Sequence, residues 1–104
     1  MPTLVQVNFP LDGPWGEAMS QEFVGLATSI NAEPGFIWKI WIENEAERAS
    51  GGIYLFDTLE NAQNYVAMHT DRLAGFGITG LNATYSEVNV PLSTLNRATL
   101  TATR

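Results

Sequence analysis

The chain contains no cysteine. That absence removes disulfides, thiolate nucleophiles and cysteine-ligated metal sites together. Basic residues are scarce as well, with five Lys and Arg against eleven Asp and Glu and a net charge of −6. Lys39, Arg48, Arg72, Arg97 and Arg104 stand singly along the sequence, whereas a nucleic-acid partner requires a clustered basic surface. His69 is the only histidine, and no carboxylate stands beside it at ligand spacing, so no metal site is expected. No apolar run approaches the ~18 residues that would read as a membrane span. The first residues, "MPTLVQVNF", lack the basic start and long apolar stretch of a signal peptide. These absences predict a soluble cytoplasmic protein with no nucleic-acid and no membrane partner. The Asn82-Ala83-Thr84 sequon is read as chance on the same ground.

What remains is an ordinary globular composition, 45% hydrophobic over 104 residues, with room for one domain and one modest core. Thr3 to Phe9 reads as a strand, with Val5, Val7 and Phe9 opposite Leu4, Gln6 and Asn8. "LDGPWG" breaks it and places Pro14 in the first turn of a helix running from Trp15 to about Asn31. "EPG" then leads into the strand "FIWKIWIE", and Gly52 to Phe56 forms a short third strand. Asp57 to Glu60 resembles a capping box, with Asp57 as N-cap of a second helix to about Ala74. That helix turns Leu59, Ala62, Val66, His69 and Leu73 to one side. "GFGITG" stops it, Leu81 to Val88 makes a fourth strand, and residues 91–104 form a C-terminal extension with a helical turn at Leu92 to Asn96.

The order β-α-β-β-α-β matches the ferredoxin-like, split βαβ arrangement of the α+β class. Four antiparallel strands then carry both helices on one face and leave the other face open. The strand Phe36 to Glu43 is apolar on both sides, which suits a strand covered twice, by its own helices and by a second copy of the chain. Strict alternation assigns Phe36, Trp38, Ile40 and Ile42 to the helix and cavity side, and Ile37, Lys39 and Trp41 to the dimer side. Lys39 is then an interface cation whose stem lies on apolar surface and whose ammonium meets a carboxylate such as Glu43. The alternative is a buried cation that meets an anionic ligand.

Few residues carry chemistry. Gly75-Phe76-Gly77-Ile78-Thr79-Gly80 spells GxGxxG, but a helix precedes it and a strand follows. The dinucleotide fingerprint needs the reverse order, so these glycines are a helix stop and turn. His69 is either a core histidine bonded to a neighbouring polar group or a proton acceptor in a helix–sheet cavity. Asn8 either solvates a strand edge or orients a ligand. Tyr65, one turn before His69, offers a phenol to the same space, and Trp38 is either core filler or one wall of an aromatic pocket. No Ser-His-Asp arrangement is present, since there is no nucleophile elbow.

Several blocks in sequence order carry a resemblance: "LDGPWGEAM", "INAEPGFIWKIWIENE", "GGIYLF", "YVAMHTDRL" and "EVNVPLSTLN". Together, from Thr3 to about Ala98, they closely resemble the YdhR-like monooxygenases, a branch of the dimeric α/β-barrel superfamily. The resemblance implies a homodimer in which two ferredoxin-like sheets pair into a barrel with helices outside. It implies a helix–sheet cavity in each protomer for a flat aromatic substrate, oxidised by O2 with no flavin, haem, metal or other cofactor. Such chemistry needs an apolar pocket and a few polar groups that favour a phenolate. On that basis His69 and Asn8 are the catalytic candidates, as base or phenolate partner and as orienting amide. Trp38 and Tyr65 are the substrate-binding candidates. A haem-degrading relative fits poorly, because Tyr65 stands where a tryptophan is wanted and Gly75 lies in the haem-ligand region. The competing function is a non-catalytic small-molecule-binding or sensing dimer on the same fold.

Overall fold

The computed structural model describes residues 2–101. Eight elements follow in order: β1 (Thr3–Pro10), α1 (Gly16–Glu22), α2 (Val24–Ile30), β2 (Phe36–Asn44), β3 (Ala49–Phe56), α3 (Leu59–Ala74), β4 (Asn82–Glu87) and α4 (Val90–Leu95). The strands form one antiparallel sheet in the order β2-β3-β1-β4. This is the ferredoxin-like α+β arrangement, with β1 and β3 at its centre. No helix among the described residues is long and apolar enough to cross a membrane.

Alternation along the central strands sets the two faces. Val5 and Val7 on β1 and Tyr54 and Phe56 on β3 are all but fully buried, and they pack with Ile30, Ala62, Tyr65 and Val66 from the helices. Each buried aromatic removes roughly 150–250 Å² from water, an upper-bound ~4–6 kcal/mol at about 25 cal/mol per Å². Leu4, Gln6, Asn8 and Leu55 alternate with these residues and turn to the opposite face.

The register of β2 overturns the side assignment that strict alternation gave. Phe36 pairs with Phe56, but the next pair is Trp38 with Leu55, so Ile37 is an extra residue in a β-bulge. A bulge shifts the side-chain phase by one, and a shift of one exchanges the two faces. Phe36 therefore keeps its place in the core, edge-on to Phe56 at 5.9 Å. Beyond the bulge Lys39 pairs with Tyr54 and Trp41 with Gly52, so both face the helices. Trp38, Ile40 and Ile42 face the other way, and Ile40 is 52% exposed. Lys39 is not on the sheet's open face.

The spacing that predicts one helix from Trp15 to Asn31 is realised as two seven-residue helices separated at Phe23. At the start of α1, the Gly16 amide donates to Glu43 Oε1 at 2.8 Å, which ties α1 to the end of β2. The N-cap of α3 is Thr58 rather than Asp57: its hydroxyl accepts from the Asn61 amide at 3.1 Å. Asp57 instead accepts from the Asn61 side chain at 2.8 Å. Ala62, Tyr65, Val66, His69 and Leu73 make the buried stripe of α3, while Leu59 in its first turn is 47% exposed.

Candidate active site

The helix-facing side of the sheet leaves a small recess beneath the α1–α2 junction, and beside it a glycine lets a lysine lie flat on the sheet. Gly52 lies between Val7 and Trp41 in the sheet. A Cβ there would come within 2.5 Å of Lys39 Cε and 3.0 Å of Tyr54 Cε1. The missing side chain leaves room for the Lys39 stem to lie across β3. Its Nζ sits 3.3 Å above the Trp41 ring and 4.6 Å from the Tyr54 ring, a cation–π geometry on two sides.

His69 comes down on the same space from α3. It is 2% exposed and stacks on Tyr65 at 5.2 Å. Tyr65 in turn donates its hydroxyl to that of Tyr54 at 3.2 Å. Arg72, one turn along α3, lies with Nη2 3.1 Å from His69 Nδ1. A guanidinium can only donate, so Nδ1 accepts and the imidazole hydrogen sits on Nε2. Arg72 Nε is buried with no hydrogen-bond partner.

Lys39 is the one charged residue lining the recess, Arg72 stands behind His69, and the Glu33 carboxylate acts on Tyr65 from the far side. Among the described residues the only ion pair is Arg48 with Asp12, exposed and 3.6 Å apart, so neither Lys39 nor Arg72 has a carboxylate partner. Burial, with the nearby Arg72 charge, pushes the Lys39 ammonium down to about 7. Burial followed by the Arg72 and Lys39 charges pushes His69 down to about 3, which keeps it neutral. Burial raises the Tyr54 and Tyr65 phenols, which stay protonated. The site thus offers a lysine that titrates near neutrality, a neutral imidazole N–H and no anion.

Two adjacent spaces surround these groups. The inner recess, with Lys39, Trp41 and His69 on its wall, has a volume of about 20 Å³, enough for one water-sized group. The outer cleft, between the Leu11–Pro14 loop, the α1–α2 junction and the Phe76–Thr79 loop, has a volume of about 800 Å³. That lies within the range of small-molecule sites. Leu11, Phe23, Leu26, Leu73 and Ile78 line both spaces, so at most one layer of side chains separates them. Phe23 is the largest member of that layer and stacks on Trp41 at 6.1 Å.

Of the residues singled out in the sequence, the structure brings His69 and Tyr65 together and sets Asn8 and Trp38 apart. Asn8 pairs with Gly51 near the end of β1, on the face opposite Val7, beside Ile42 and Asn44. The Trp38 indole N–H donates to the Thr99 carbonyl at 2.6 Å, so the C-terminal segment meets the sheet on that open face. The bulge at Ile37 moved Trp38 out and Trp41 in. Lys39, Trp41, Tyr54 and Arg72 are the site residues that alternation missed. Arg72 was within reach, because three residues along a helix from His69 is contact spacing.

No group of three His, Cys, Asp or Glu side chains among the described residues is placed to hold a metal ion. No curated protein matches the chain. A crystal structure of a putative antibiotic biosynthesis monooxygenase from Deinococcus radiodurans shares the fold, with a TM-score of 0.60 over 84% of this chain and 92% of that one. The two sequences are 16% identical. Residues 4–99 match the family described as "Putative mono-oxygenase ydhR", and the chain belongs to that family.

Proposed function

We propose that the protein is a cytoplasmic homodimeric monooxygenase that oxidises a small phenol- or hydroquinone-like aromatic with O2 and no bound cofactor. The observation that carries this reading is the recess without a carboxylate in its lining, where Lys39 and the neutral His69 N–H meet, beside a largely apolar cleft whose lining includes Asp12 and Glu22. A flat ring suits the outer cleft, and its phenolic oxygen suits the water-sized recess once the Phe23 layer between them moves aside. A deprotonated, electron-rich ring can pass an electron to O2 directly. Insertion then places one oxygen atom on the ring carbon as a carbonyl, and the other leaves as water with the two hydrogens removed. The balance, phenol plus O2 to quinone plus water, requires no outside reductant.

Each residue has a task in this scheme. His69 Nε2–H donates to the developing phenolate, which is the partner role available to a neutral imidazole. Tyr65 and Tyr54 fix the position of that imidazole. Phe23, Leu26 and Ile78 keep water from the reacting ring. Asn8 and Trp38 lie on the open sheet face, where Trp38 already bonds the C-terminal segment and a second copy of the chain would cover what that segment leaves exposed. Half-exposed Ile40 on that face supports the homodimer.

Oxygen consumption with hydroquinones and anthrone-like phenols tests the proposal. Uptake should require protein and fall at least tenfold in His69→Ala. Tight binding across the panel with no uptake would instead identify a binding or sensing dimer.

A further inference from the structure

The recess has one cationic side chain on its wall, Lys39, a second cation, Arg72, behind His69, no carboxylate in its lining and space for one atom with its hydrogen, a combination that a neutral ligand does not explain. Isolated ammonium groups are costly to bury, and buried charges are normally paired. Here Lys39 rests on the faces of Trp41 and Tyr54, Arg72 has an unpartnered buried Nε, and the nearest acidic group on β2, Glu43, is held by the Gly16 amide. Every other group facing Lys39 is neutral: Tyr54 from β3, Tyr65 and His69 from α3, and the apolar Met19 and Phe23 from the α1–α2 side. The missing partner is therefore an anion brought in by the ligand, and its charged atom must fit in about 20 Å³.

We propose that this site binds its aromatic ligand as the oxyanion, with Lys39 as the group that takes the phenolic proton and Arg72 as the positioning residue that aims the His69 N–H at the resulting phenolate. This inference rests on the aromatic-substrate reading above, and it names the ionised form and the proton's destination. The phenol O–H breaks, an N–H forms on the Lys39 amine, and the electron pair stays on oxygen between the ammonium and His69 Nε2–H. Lys39 near neutrality supplies the free amine before binding and the ammonium after it. Arg72 acts at one remove: by donating to Nδ1 it excludes the tautomer that would turn a lone pair toward the anion.

The test uses 4-nitrophenol without oxygen, because its anion is yellow and its neutral form is not. At a pH where the probe is mostly protonated in water, adding the full-length protein should turn it yellow. The bound probe's apparent pKa should fall by about 1–3 units, as expected beside an opposite charge. Lys39→Met should abolish the shift. Lys39→Arg should retain binding of the preformed anion, since the charge survives and only the proton acceptor is lost. Arg72→Gln should reduce the shift while leaving nitrobenzene binding as it was. Circular dichroism confirms that each variant is folded. A bound probe that stays colourless, or yellow to the same extent in Lys39→Met, overturns the proposal. Yellow probe with no oxygen uptake on any phenol would sustain anion binding and overturn the monooxygenase reading. Oxygen uptake with a colourless probe would do the reverse.

Discussion

Replacing Lys39 by methionine should stabilise the protein, which is unusual for the loss of a charged side chain that touches two aromatic rings. The amine titrates at about 7 in the fold against 10.5 in the open chain. That gap corresponds to an upper bound of roughly 5 kcal/mol at about 1.4 kcal/mol per unit. Between those two values the unfolded chain holds a proton that the folded chain does not. Stability therefore rises with pH from about 7 to about 10.5, and the penalty is present in full below 7. Methionine fills a similar volume over Trp41 and Tyr54 and loses a cation–π contact of about 0.5–2 kcal/mol. The net gain should be about 1–4 kcal/mol at pH 7, as for other buried charges exchanged for apolar side chains. Each kcal/mol moves Tm by roughly 4–8 °C in a domain of this size. Urea and thermal unfolding at pH 6, 7.5 and 9, at fixed protomer concentration, measure both the gain and its pH dependence. A variant that is less stable than the parent by more than ~1 kcal/mol, with the same pH dependence, would show that the amine is solvated or paired, and the account of the recess would fail.

Other perturbations separate the parts of the site. His69, neutral in the fold and held at about 3 against an ordinary 6.5, should cost stability as pH falls from 6.5 toward 3, by up to about 1.4 kcal/mol per pH unit; in His69→Gln the acid limb of the stability profile should flatten. Gly52→Ala should displace the Lys39 stem, lowering phenolate affinity about tenfold while destabilising the fold by only ~1–3 kcal/mol, which titration and melting read independently. Phe23→Ala should join the recess to the cleft and admit bulkier phenols, at a stability cost of ~1–3 kcal/mol because the ring is half-buried. Ile40→Glu on the open sheet face should give a monomeric mass by light scattering at micromolar concentration; an unchanged dimer would place the interface elsewhere.

The architecture was legible because each element announces its period: Val5 and Val7 alternate, and Ala62, Val66, His69 and Leu73 recur at helical spacing. The site was legible only in part. His69 and Tyr65 lie one helical turn apart, so their common face follows from spacing alone. The faces of β2 did not follow, since no residue in "FIWKIWIE" marks a bulge, and one extra residue inverts every side chain beyond it. Trp38 and Trp41 exchanged sides for that reason, and Lys39 moved from an interface to the cavity. The role of Gly52 was equally hidden, because its importance lies in the space its neighbour's side chain occupies. A lysine between two tryptophans was the visible clue that a cation was being placed against aromatic surface.

Incubation of the protein with an anthrone-like phenol under ¹⁸O₂, followed by mass spectrometry of the product, tests the central claim most directly. The account predicts a quinone carrying one labelled oxygen atom, formed in the presence of a metal chelator and lost in His69→Ala and Lys39→Met. A product with no label from O2, or label incorporated equally by both variants, would contradict it.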